Sequence, residues 1–186
     1  MRSGEGALAD GNQHTLPLVR EGLRISPIPS LPLFAVNKSR TAPSVVAGID
    51  AALGFPAPRN PNGCSWSPKG EAFCFWASPN SWLVRGEATD AAMGERLSSG
   101  LRDVTAGIAA MDGLRGWKVS GVHAARLLSR GCHIDFRDSA FPAGSGVRTH
   151  FVFDAVFIVR NTDGYCLYFD GSFYSAMEEW LAQASD

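Results

Sequence analysis

The chain has no run of about 18 apolar residues, so no membrane-spanning helix is expected, and its opening MRSGEGALADGNQH lacks the hydrophobic stretch of a secretory signal. Cytoplasm is the expected compartment, with no membrane partner. Charge of one sign is also missing. Lys plus Arg number 17 and Asp plus Glu 18, a formal net charge of −1, so no global field draws the protein to nucleic acid. The four cysteines, Cys64, Cys74, Cys132 and Cys166, form no CxxC pair, which argues against a zinc site and against a disulfide framework. Reduced, buried thiols are expected. No GxGxxG opens a helix and no Walker loop occurs. The one glycine cluster, PAGSG at 142–146, precedes a strand, the wrong order for holding phosphate at a helix N-terminus. Ser145 within it lacks the spacing of a nucleophile elbow.

What is present is apolar and aromatic. Of 186 residues, 45% are hydrophobic and only 19% charged, with five Trp and eleven Phe, more aromatic surface than a small core needs. Part of it is available to a partner. Residues 1–22 are small, polar and aperiodic and read as a mobile leader without core residues. LRISPIPSLPLFAVNKS reads as one extended opening strand, because Pro27, Pro29 and Pro32 forbid helix. Thr41-Ala42-Pro43 then starts a helix with Val45, Val46, Ile49 and Leu53 on one stripe and Gly54 as its stop. The proline-rich stretch 55–70 reads as a long loop, and FCFWASPNSWLVRG as a hairpin about Ser78-Pro79-Asn80-Ser81. Thr89 is positioned to cap a helix carrying Met93, Leu97 and Leu101.

A second hairpin is predicted at Asp112-Gly113, the dipeptide suited to a turn with positive φ. Residues 122–130 follow as a helix closed by Gly131, then three strands, VRTHFVF, AVFIVRN and GYCLYFD. A terminal helix carries Phe173, Ala176, Met177, Trp180 and Leu181 on one face, with Ser172 as its cap. This order implies an α+β fold with mainly antiparallel sheets, helices on one face, and two associated modules at about 23–102 and 103–186.

SRGCHIDF, residues 129–136, concentrates reactive side chains. In an extended run Cys132, Ile134 and Phe136 share one face and His133 and Asp135 the other, so Cys132 has no neighbouring base and reads as a structural thiol. His133 with Asp135 lacks a third metal ligand. His150 sits in a strand and His14 in the leader, neither with a partner for general-base work. No catalytic, cofactor-binding or metal residue is assigned. His123, Arg126 and Arg130 form a basic helix stripe suited to docking on an acidic surface, and Trp66, in the proline-rich stretch, is the tryptophan best placed for an interface.

Three stretches together carry a resemblance: ASPNSWLV; DVTAGIAAMDGLRGWKVSGVHAARLLSRGCHIDF; and FPAGSGVRTHFVFDAVFIVR leading to GSFYSAMEEWL. In order and spacing they resemble the gamma subunit of heterotetrameric sarcosine oxidase over about residues 23–184, and the similar small subunit of N-methylglutamate dehydrogenase and related N-demethylating complexes. Ala77, Val122 and Gly171 depart from that pattern, where glycine, proline and arginine are usual. The resemblance implies two ferredoxin-like modules similar to the folate-binding part of aminomethyltransferases. It also implies a non-catalytic role beside alpha, beta and delta chains, chiefly alpha, with FAD, FMN, NAD and tetrahydrofolate in those partners. A free-standing folate-binding aminomethyltransferase-like protein is the alternative.

Overall fold

The computed structural model of the chain describes residues 16–29, 32–39, 45–87, 91–102 and 106–186. Two antiparallel sheets stack on one another. The six-stranded sheet runs in the order β1 (Leu18–Arg20), β2 (Leu23–Ile28), β8 (Leu114–Ser120), β11 (Gly164–Asp170), β10 (Asp154–Asn161), β9 (Gly146–Phe151). The five-stranded sheet runs β4 (Cys64–Trp66), β5 (Phe73–Ser78), β6 (Ser81–Arg85), β3 (Leu33–Lys38), β7 (Ala106–Ala110). Helices α3 (Ala124–Leu128) and α4 (Tyr174–Ala184) cover the first sheet, and α1 (Val46–Leu53) and α2 (Met93–Gly100) the second. The α+β expectation, antiparallel sheets each with helices on one face, is the observed architecture.

Period-two alternation explains the layering. On β11, Tyr165, Leu167 and Phe169 pack toward α3 and α4, while Cys166 and Tyr168 face the other sheet. On β5 and β6, Phe73, Phe75 and Leu83 enter the same inter-sheet core, and Cys74, Trp82 and Val84 pack under α1 and α2. Strands buried on both faces read as unbroken apolar runs, which is why FCFW, WLV and YCLYF show no polar alternation. Beneath them α1 and α2 nearly touch: a Cβ on Gly48 would lie 2.3 Å from the Gly100 carbonyl oxygen.

The sheets do not divide where the two modules were expected to meet. Strand β2, from the first half, pairs with β8, and β7, from the second half, pairs with β3. The extended opening segment is therefore two strands in two sheets. Asp112-Gly113 is likewise no hairpin: β7 and β8 leave it for different sheets, and the pairing of each is with β3 and β2 instead. The chains β2–β3 and β7–β8 thus form one antiparallel ribbon that bends from sheet to sheet. At the bend the Met111 amide donates to the Leu33 carbonyl at 2.8 Å and the Leu114 amide to the Met111 carbonyl at 3.1 Å. A turn dipeptide fixes only a local reversal, and the partner strands are chosen by burial.

Several smaller expectations are corrected. Residues 16–22 are not leader: Leu16 is buried and β1 pairs with β2 across a turn at Gly22, φ 71°. A three-residue strand is too short to announce itself by periodicity. The proline-rich stretch contains β4. Helix α3 is shorter than 122–130, Ala176 is exposed, and α4 has no side-chain cap; instead Asp170 caps the 3-10 turn Gly171–Phe173 that leads into it, its Oδ1 accepting from the Ser172 amide at 2.8 Å. Gly54 does end α1 in the left-handed region, φ 74°. The leader residues 1–15 with His14, Leu31, the Thr41-Ala42-Pro43 cap, Thr89 and Asp103-Val104-Thr105 lie outside the described residues.

Phe75 is fully buried between the sheets, 6.3 Å from Phe157 ring to ring. Phe75→Ala is expected to lower stability by about 3–5 kcal/mol with an unchanged denaturant slope, measured by urea unfolding.

Candidate partner interface

Three of the four residues proposed for an interface converge. His123, Arg126 and Arg130 are all exposed on one side of α3, while Ala124, Leu127 and Leu128 are buried on the other, so the amphipathic stripe folds as read. With Arg20 of β1, Glu21 and Asp186 they line a cleft of about 190 Å³ between the β1–β2 turn, α3 and the end of α4. Arg130 donates to the Ala184 carbonyl, and Arg20 to the Ser185 carbonyl at 3.0 Å and to Asp186 Oδ1 at 2.5 Å. The cleft already holds carbonyl and carboxylate oxygens, the acceptor chemistry that guanidinium groups recognise.

Two glycines let the turn reach the helix. The Gly22 carbonyl accepts from the His123 amide at 2.9 Å, and Gly121, φ 99°, has no room for a Cβ, which would stand 2.4 Å from the Gly22 oxygen. Exposed apolar side chains adjoin the same structure: Val122, 83% exposed, packs over Gly22, and Val19 of β1 is 72% exposed. Cations beside exposed aliphatics are the composition of a docking rim. Arg20 and Asp186 carried no signal in the sequence, because only the fold brings residues 166 positions apart into contact.

Trp66 lies elsewhere. Half-buried on β4, it donates from Nε1 to the Arg160 carbonyl at 3.1 Å and its ring packs on Phe73 at 5.0 Å, continuing to Tyr168 at 5.5 Å. It ties the two sheets together. The PAGSG loop does the same. The Gly144 carbonyl accepts from the Cys64 amide at 2.7 Å, and the Gly146 amide donates to Asn62 at 2.8 Å.

The stretch SRGCHIDF can now be placed. Its burial alternates as expected: Cys132 and Ile134 pack against the core, Phe136 is buried, and His133 and Asp135 are exposed. Asp135 is held by Arg137 through a bidentate ion pair, which keeps its carboxyl lowered to about 2, chiefly by the side-chain hydrogen bond. Gly131 has an ordinary backbone. It is glycine because the Phe151 ring lies on it, 2.4 Å from where a Cβ would be, and its carbonyl accepts from the Val152 amide at 2.8 Å. The helix end is thus the seat for the β9–β10 turn.

None of the thiols is activated. Burial pushes up Cys64 and Cys74, and Cys166 to about 11; the half-buried Cys132 is raised less strongly, also by desolvation. Among the described residues, no three His, Cys, Asp or Glu side chains gather as a metal site, and no helix is long and apolar enough to cross a membrane.

No protein-family model and no curated protein matches the chain. Solved structures do. A chain of heterotetrameric sarcosine oxidase from Corynebacterium sp. U-96, in complex with pyrrole 2-carboxylate, superposes with a TM-score of 0.79 at 16% identity, covering 92% of this chain and 87% of that one. Aminomethyltransferase T of the glycine cleavage system from Bartonella henselae gives 0.66 at 16% identity, over 90% of this chain. This chain spans 46% of that enzyme's length. The ligand-free regulatory subunit of aspartate kinase from Thermus thermophilus gives 0.50 at 11% identity. The chain therefore has the fold shared by the sarcosine oxidase chain and part of the aminomethyltransferase.

Two outcomes follow from this geometry. Gly131→Ala is expected to cost about 1–3 kcal/mol, part of which Phe151→Leu restores in the double variant, measured as a coupling energy by urea unfolding. In the native protein at pH 8, a thiol reagent is expected to label Cys132 slowly and to reach the other three cysteines only after denaturation, as peptide mapping would show.

Proposed function

We propose that this chain is the gamma-type, non-catalytic structural subunit of a heterotetrameric, flavin-dependent sarcosine oxidase, which demethylates sarcosine to glycine and passes the one-carbon unit to tetrahydrofolate. The observation that carries the reading is the match in fold over nearly the full length of both chains, 92% and 87%, to a chain of such an oxidase. The aminomethyltransferase superposes at a lower TM-score, 0.66 against 0.79, which favours the oxidase-type subunit over a one-carbon enzyme. Fold alone does not assign chemistry, so the residues must support the role. They do so through surface. The exposed basic stripe of His123, Arg126 and Arg130, beside exposed Val19 and Val122, offers charge and apolar area for a larger chain.

In this reading the alpha chain is the principal partner, and FAD, FMN, NAD and tetrahydrofolate are held by the alpha and beta chains rather than here. The equivalent subunit of N-methylglutamate dehydrogenase would use the same surface. Substrate assays on the assembled complex separate the two.

Expressed alone, the chain is expected to be colourless and inactive toward sarcosine. Co-expressed with alpha, beta and delta chains, it is expected to purify in a yellow complex at equal stoichiometry. Arg126→Glu with Arg130→Glu is expected to lower its recovery in that complex at least tenfold while leaving its own unfolding midpoint within about 2 °C. Turnover of sarcosine by the isolated chain, or tight tetrahydrofolate binding by an isolated monomer, would refute the proposal.

A further inference from the structure

Where the ribbon bends from one sheet to the other, a crevice of about 20 Å³ remains, room for one occupant the size of a water molecule. Arg85 of β6 and Tyr168 of β11 both line it, with Leu33, Arg115 and Gly116 also in its wall. Arg85 is 7% exposed and Tyr168 5%. Arg85 Nη1 donates to the Glu71 carbonyl at 3.0 Å, and its guanidinium stands 5.9 Å from the centre of the Tyr168 ring. Among the described residues no carboxylate pairs with Arg85. The Tyr168 hydroxyl is buried with no hydrogen-bond partner among the described residues.

Each of these groups is costly as it stands, and both are relieved by the same thing. A buried cation requires a counter-charge, and a buried hydroxyl requires an acceptor. Desolvation raises the Tyr168 hydroxyl well above its ordinary range, against a smaller lowering by the neighbouring Arg85 guanidinium, so it stays protonated and able to donate. A second guanidinium, Arg115, stands at the rim, donating to the Asp112 and Leu114 carbonyls, and among the described residues no acidic side chain lines the crevice. Water would satisfy the hydroxyl and leave the charge, whereas a single-atom anion satisfies both. The space exists because residue 116 is glycine: a Cβ there would lie 3.1 Å from both Tyr168 Cδ1 and Ile28 Cδ1, and 2.9 Å from the Leu167 carbonyl oxygen.

We propose that this crevice is a buried halide site, in which chloride is held between the Arg85 guanidinium and the Tyr168 hydroxyl at the point where the two sheets exchange strands. The site is independent of whether the chain assembles with others. The test uses the full chain with sodium chloride, bromide or gluconate at constant ionic strength. Chloride and bromide are expected to raise the unfolding midpoint saturably, by about 3 °C over gluconate. The chain is also expected to broaden the NMR line of free chloride. Tyr168→Phe, which keeps the ring, is expected to abolish the midpoint shift and to cut the excess line width at least threefold, and Gly116→Ala, which fills the space, to do the same. A midpoint indifferent to halide would overturn the proposal, as would broadening that Tyr168→Phe leaves intact, which would place the halide elsewhere.

Discussion

The fold depends on one antiparallel ribbon, β2–β3 against β7–β8, that passes through both sheets. Neither sheet can form without residues from both halves of the chain, so the inter-sheet core of Phe73, Phe75, Leu83, Val159, Cys166 and Tyr168 closes only when the long-range pairings are made. Burial of these side chains, each worth about 1.5–3 kcal/mol, rewards the loop-closure entropy of those pairings together rather than singly. The cross-links at the other side of the stack, from Trp66 to Arg160 and from the PAGSG loop to Asn62 and Cys64, brace the same interface.

This arrangement separates what the interior does from what the surface does. The inter-sheet and sheet–helix layers are apolar, and Cys64, Cys74 and Cys166 are buried in them by packing that raises their thiols out of the reactive range. Thiolate formation at these three positions is therefore opposed by the same burial that stabilises the sheets. The outer face of α3 is free of that duty. Its basic side chains His123, Arg126 and Arg130 are exposed, and the β1–β2 turn brings Arg20 alongside them, where it pairs with Asp186.

Much of this was legible residue by residue. The stripe of Met93, Leu97 and Leu101 is buried as periodicity required, Gly54 ends α1 as a left-handed cap, and Ser78–Ser81 closes a hairpin. The alternation in CHIDF was also readable, since strand-like spacing fixes which side chains share a face. What failed were statements about partners. Asp112-Gly113 reads as a hairpin turn and serves as a bend between sheets. Gly131 reads as a helix stop, but is required by the ring of Phe151. Asp135, weighed against His133, belongs instead to Arg137.

By itself, then, the sequence determined most of the longer elements, most of their buried faces and the class of fold, because periodicity and turn chemistry act over a few residues. Only the tertiary structure decided which strands share a sheet, that Arg20 joins the α3 stripe, and that Arg85 meets Tyr168. Those contacts join positions far apart in the chain, and their selection depends on the burial of whole faces, which no local spacing encodes.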